Sequence, residues 1–169
     1  MTTLTDACGL GKQSLYNALG NKEAAYLQSI ECASHRDAAL HAAMVEAADG
    51  RQAVQLFFAQ AIEVCAGQDP SLNHCILTAG LIEGIEAEAI AAKLKEKWHA
   101  LCLLLRQSVE RGQRDGTIRQ DVASDALCAV LVTLLMGMRV AARVPTERQS
   151  LESTVHWVLK LLDEGSPRP

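Results

Sequence analysis

Proline is almost missing from the interior of this chain. Of four prolines, two fall in the terminal Gly165-Ser166-Pro167-Arg168-Pro169, leaving Pro70 and Pro145 as internal breaks. Aromatic residues are equally scarce, with two each of Phe, Tyr and Trp among 169 residues. A core must therefore be built from Leu, Ala, Val and Ile, and the few breakers with many alanines favour helices. No apolar run reaches the ~20 residues a membrane span requires; the longest, Ala126 to Met138, is interrupted by Thr133. Met1 is followed by threonines rather than by a basic and then apolar stretch, unlike a secretory leader. A soluble, cytoplasmic protein with no membrane partner is expected.

Other absences narrow the chemistry. None of the six cysteines forms a C-x-x-C pair, and free, buried thiols are expected in a reducing compartment. The five histidines are scattered, which argues against a metal site. There is no nucleophile elbow, no paired-carboxylate arrangement and no cofactor loop, so neither a cofactor nor an enzymatic activity is expected. Gly9-Leu10-Gly11-Lys12-Gln13-Ser14 only imitates a phosphate loop, since it lacks Ser or Thr directly after the lysine and no strand precedes it. A net charge of −4 speaks against a protein coated in nucleic acid but permits a local basic surface.

What is present is helical periodicity almost end to end. A capping pattern Thr3…Asp6 opens a short helix that Gly9 ends, and Lys12 to Leu19 forms a second. Asn21 caps a long helix running to about Ala48, closed by Asp49-Gly50. Helices follow at 51–66, 72–83 (capped by Ser71) and 86–111, the last ending at Arg111-Gly112. Asp121 is read as the cap of a helix reaching Val144, and Thr146 with Gln149 as the capping box of the final helix. The expected fold is all-α, with eight helices divided into a head and lever (1–48) and a larger body (49–169).

Two short helices around a glycine turn form a helix-turn-helix, whose second helix enters the DNA major groove. The residue types able to meet phosphates and base edges here are Thr3, Lys12, Gln13, Ser14, Tyr16, Asn17 and Lys22. In residue order this segment resembles the TetR family of transcriptional regulators: Gly9, Lys12, Ser14, Leu15, Tyr16, Lys22 and Glu23 match that family's signature without a gap. Departures from it are Gly11, Ala18, Leu19 and Gly20. The stretch 73–78 is similar to a Gly-Cys-Leu-Leu segment of one branch of the family.

The resemblance implies a ligand-responsive repressor that binds operator DNA as a homodimer and is released by a small apolar effector. It also implies a first helix ahead of the present Met1, so the helix-turn-helix is expected to be a remnant. Residues 1–31 carry Lys12 and Lys22 against Asp6, Glu23 and Glu31, a net −1. The alternative is a helical dimer that binds a ligand or a protein but not DNA.

In the body, the resemblance places an effector pocket between the middle helices, lined by Phe58, Ile62, Leu81, Trp98, Cys102 and Met136, with His99 more readily solvated than ligating. The last two helices are apolar on more than one side and need more than one partner. Their stripes place Leu127, Leu131, Leu134 and Met138 with Leu151, Val155, Val158 and Leu162 at a two-fold four-helix interface.

Overall fold

The computed structural model describes residues 9, 11–67, 76–83, 87–144 and 146–163. Among them are seven helices and no strand: α1 (Lys12–Leu19), α2 (Lys22–Glu46), α3 (Gly50–Cys65), α4 (Ile76–Glu83), α5 (Glu88–Asp115), α6 (Ser124–Ala141) and α7 (Arg148–Lys160). The expected helix before Gly9, with Thr3, and the expected cap Ser71 lie outside the described residues.

Helix starts follow side-chain chemistry in two places. The Asn21 Oδ1 accepts from the Ala24 N–H at 2.8 Å, opening α2. Asp49 does the same for Gln52 at 2.7 Å, while Gln52 reaches back to accept from the Ala48 N–H at 2.6 Å. This reciprocal pair satisfies amides that the first turn of α3 leaves free. Asp49-Gly50 is thus the beginning of α3 rather than only the end of α2.

Three other expected boundaries move, two of them because the expected capping residue bonds elsewhere. Asp121 forms a two-bonded pair with Arg119 (2.6 Å for each bond), and α6 starts three residues later. The side-chain amide of Gln113 donates to the carbonyls of Arg119 and Val122 at 2.9 and 2.8 Å, and the Arg119 N–H donates to the Leu162 carbonyl at 2.8 Å. These bonds hold the connector across the end of α7. Thr146 turns back instead of forward, its hydroxyl donating to Ala141 at 2.8 Å and Val144 at 3.1 Å. Helix α5 runs through Arg111-Gly112 and ends where Gly116 takes a left-handed φ of 78°, a conformation glycine adopts without steric cost.

Gly112 sits mid-helix for a packing reason. A Cβ there would meet the Ile118 side chain at 2.5 Å, and one at Gly50 would lie 2.0 Å from the Gly112 nitrogen. Helices α3 and α5 therefore touch backbone to backbone at this point. Beside the contact, the Gly50 N–H donates to Asp115 at 3.0 Å, and Asp115 also accepts from the Thr117 hydroxyl at 2.6 Å. The Thr117 hydroxyl, followed by the backbone amides, holds the Asp115 carboxyl below its ordinary pKa.

The main core surrounds α3. Ala53, Val54 and Phe58 are fully enclosed and packed with Leu105, Val109, Ile118 and Leu131 from α5, its connector and α6. Phe57 and Phe58 meet edge to face, with centroids 5.4 Å apart. Leu151, Val155, Leu159 and Leu162 close the core from α7. A second, smaller cluster joins α2, α4 and α5 through Ile30, Ile90 and Leu94, with Tyr26, Leu27, Ile76 and Leu77 around it. Helix α2 is consequently held at two levels: near its start by the small cluster and near its end by Met44 in the main core.

Candidate functional site

Helix α1 follows Gly9 (φ 61°) and is separated from α2 by Gly20 (φ 76°), both left-handed. It carries Lys12 and no acid, and it packs on α2. Of the residues predicted to meet DNA, Gln13, Ser14, Asn17 and Lys22 are exposed. Gln13 and Asn17, one turn apart, share a hydrogen bond of 3.2 Å. The side chains of Lys12 and Tyr16 lie outside the described residues. The result is a short helix presenting an amide-rich polar side at the end of a 25-residue lever, with Lys22 where the backbone amides of α2 begin. Such a surface can donate to phosphates and to base edges.

The lever is fastened to the body at both ends by charges. Glu31 pairs with Lys93 at 2.7 Å and Lys97 at 3.5 Å, joining α2 to the start of α5. The Lys93 ammonium holds the Glu31 carboxyl below its ordinary value, and Glu31 raises Lys93 in turn. At the other end, the Arg111 guanidinium donates to the Val45 carbonyl at 3.0 Å, to Met44 and Ala47 at 3.3 Å each, and to Asp49 at 2.5 Å. One cation thereby satisfies the last carbonyls of α2, where the helix dipole is negative. Sequence reading took Arg111-Gly112 for a helix stop and missed this clamp; the only signal was a cation followed by a glycine.

Replacing Arg111 by Met keeps the apolar stem but removes the clamp. Because hydrogen bonds to charged groups contribute ~1.5–3 kcal/mol, a loss of about 2 kcal/mol is expected for R111M. Hydrogen exchange should show it first in the amides of residues 44–50. Unchanged protection there would mean that the clamp does not hold the lever.

The predicted pocket residues are placed in two groups. Phe58 and Ile62 are buried in the main core; Trp98, Cys102 and Met136 are half-buried along α5 and α6. The Leu81 side chain lies outside the described residues, and His99 is exposed. Met136 receives a long hydrogen bond from the Thr78 hydroxyl (3.9 Å), which connects α4 to α6. Cys102 lies beside Cys128, whose thiol points at the Cys102 carbonyl at 3.6 Å. Burial pushes both thiols above their ordinary pKa. A shallow groove of about 380 Å³ passes over this pair, lined by Cys102, Leu103, Arg106, Asp125, Cys128, Ala129 and Val132. Cys75 lies outside the described residues. Among the described residues, Cys32, Cys102 and Cys128 are free thiols, and no group of three ligand-type side chains could hold a metal ion.

The predicted interface residues face the other way. Leu127, Leu131, Met138, Leu151, Val155 and Leu162 are buried in the protomer's own core, and Leu134 and Val158 are half-buried against it. In this part of the chain the large apolar side chains left outside, among the described residues, are Val130, Val140 and Val144 from α6 and its end, with Trp157 on α7 and Leu161 just past it; each is about half or more exposed. On α6 they share a side with Gly137, where an added Cβ would meet nothing within 4 Å. Periodicity identifies an apolar stripe without saying which neighbour covers it, and α3 covers the stripes read from sequence. Helix α6 is 18 residues long with a mean hydropathy of 1.6, enough by length and composition to cross a membrane, and 28% of it is buried. This outer side accounts for that hydropathy.

A short polar helix leading into a long lever, a helical body and two terminal helices with an apolar outer side define the fold of the TetR family transcriptional regulators. The chain superposes on a cysteine-substituted variant of the TetR family regulator CifR, solved with a 26-base-pair operator DNA, with a TM-score of 0.79 and 23% identity. That match covers 95% of this chain and 84% of the other. A second CifR variant, also with operator DNA, gives 0.78 and 22% over the same shares. A TetR family regulator from Cytophaga hutchinsonii gives 0.76 and 20%, over 98% of this chain and 85% of that one. At these identities the likeness is one of fold. No protein-family model matches the chain, and no curated protein matches it.

Proposed function

We propose that this protein is a dimeric, effector-responsive transcriptional repressor, with residues 1–48 forming the DNA-reading head and lever and residues 49–169 the effector-binding and dimerisation body. The observation that carries the reading is the fold likeness, over 95% of this chain, to regulators solved on operator DNA. In this reading Gln13, Ser14, Tyr16 and Asn17 meet base edges and phosphates, while Lys12, Lys22 and Thr3 contact the backbone. A second copy covers Val130, Val140, Val144, Trp157 and Leu161, which would otherwise stand in water. Two heads then address two half-sites. An effector in the body favours one setting of α2, and the clamped lever carries that preference to α1. The effector thus acts through differential affinity for two states.

Fluorescence anisotropy on the DNA upstream of the protein's own gene tests the proposal. Affinity should fall with salt, log K dropping by about 0.9 per log unit for each phosphate neutralised. K22A in both protomers should lower that slope by about 2 and weaken binding equally across sequences. Absence of any salt-dependent, sequence-selective binding would leave a helical ligand-binding dimer as the better description. A head with only two lysines is the feature that favours that outcome.

A further inference from the structure

Two thiols from neighbouring helices open into one groove. Cys102 on α5 is half-buried, Cys128 on α6 is buried, and the Cys128 sulfur stands 3.6 Å from the Cys102 carbonyl oxygen. Both line the groove of about 380 Å³, with Leu103, Ala129 and Val132 as its apolar walls and Arg106 and Asp125 closing one end. Neither Cys32 nor Cys65 lines it.

The surroundings do not favour the ionised form of this pair. Arg106, the one cationic residue lining the groove, is engaged by Glu110 at 2.8 Å and by Asp125 at 3.1 Å. Burial keeps both sulfurs in the thiol form, and for Cys128 the nearby Cys102 and Asp125 add to the effect. A metal ion would require both as thiolates, leaving negative charge in a largely apolar groove beside Asp125. Oxidation to a disulfide requires the two sulfurs to meet at ~2.05 Å, whereas the Cys128 thiol is directed at a carbonyl. Two neutral thiols set in this way suit a partner that takes both sulfurs, bridges them through one atom and leaves no charge.

We propose that Cys102 and Cys128 form a dithiol site for trivalent organoarsenicals, with one arsenic atom bridging the sulfurs and the organic group lying along Leu103, Ala129 and Val132. In water such a compound carries two hydroxyls on arsenic. Both S–H bonds and both As–OH bonds break, two As–S bonds form, and two water molecules leave. Arsenic stays trivalent and the product is neutral, so no desolvated charge is left in the groove. The second bond closes within the protein, which makes capture far tighter than attachment to either cysteine alone. The bridge ties α6 to α5, the helix that grips the lever through Lys93, Lys97 and Arg111. The inference goes beyond the repressor reading and stands apart from it, because capture is read on the free chain without DNA.

Mass spectrometry of the full, reduced chain with phenylarsine oxide provides the test. One phenylarsenic group should be retained per chain in place of two thiol hydrogens, resisting excess glutathione but released by dithiothreitol. Peptide mapping should place it between a peptide containing Cys102 and one containing Cys128. C102A and C128A should each weaken capture by about 100-fold or more and make the remaining adduct sensitive to glutathione. C32A should behave as wild type, and circular dichroism checks that every variant keeps its helices. An arsenic bridge that maps to other cysteines, an adduct released by glutathione from the wild type, or capture unchanged in C102A or C128A overturns the proposal. Mapping on the wild type decides the matter even where a variant fails to fold.

Discussion

Adding one methyl group at Gly50 is expected to destabilise the fold by about 3 kcal/mol, the upper end of ordinary overpacking. For a chain of this size that is a fall of roughly 6–12 °C in melting temperature. The reason is the kind of atom in the way. The new Cβ would lie 2.0 Å from the Gly112 nitrogen, 2.4 Å from its Cα and 2.4 Å from the Ser108 carbonyl oxygen. These are backbone atoms of α5 and have no rotamer to change. Relief requires α3 and α5 to separate where they enclose Val54, Phe58, Leu105 and Val109, so the loss spreads into the main core. The same separation would stretch the bond from the Gly50 N–H to Asp115 and pull the Asp49 carbonyl from Arg111. Thermal and denaturant unfolding of G50A measure the effect directly; a melting temperature within 2 °C of wild type would show that the joint yields easily.

The second large effect concerns association. The double variant V140E/W157E places four carboxylates on the proposed two-fold interface, each facing apolar surface or its own symmetry mate. Burying unpaired charge in place of an aromatic anchor removes the main contributions of such an interface. A rise in the dimer dissociation constant of at least about 100-fold is expected, equivalent to ~2.7 kcal/mol. Because Trp157 is 65% exposed and Val140 48% exposed in the single chain, the monomer should keep its helical content. Sedimentation analysis should therefore show a change of mass without a change of fold. A wild-type protein that sediments as a monomer, or a double variant with unchanged mass, would remove the proposed interface. The contrasting variant L131E, buried at 1%, should unfold the protomer instead, which separates core from interface experimentally.

Much of this architecture can be read from local chemistry. Asn21 and Asp49 sit at helix starts because their side chains reach an amide three residues on, a purely local preference. The stripes of α3, α5 and α7 follow from 3.6-residue spacing, so the order and approximate length of the helices are legible along the chain. The polar side of α1 was equally readable: Gln13, Ser14 and Asn17 are exposed where spacing placed them.

Residues whose role depends on which of several partners they engage were not legible. Asp121 and Thr146 have the composition of caps, but Arg119 and the end of α6 engage them. Arg111-Gly112 looks like a helix stop, yet the pair forms the clamp on α2 and the contact with Gly50. A stripe such as Leu127, Leu131 and Met138 is the same in sequence whether its own subunit or a second copy covers it.

By itself, then, the sequence determined an all-helical chain with a short polar helix ahead of a long lever, because capping, periodicity and turn chemistry act over three or four residues. Only the tertiary structure decided which apolar face is core and which is left exposed. Only it revealed the guanidinium that holds the lever. Those outcomes depend on contacts between residues more than 60 positions apart, such as Arg111 with Val45, and no local pattern encodes them.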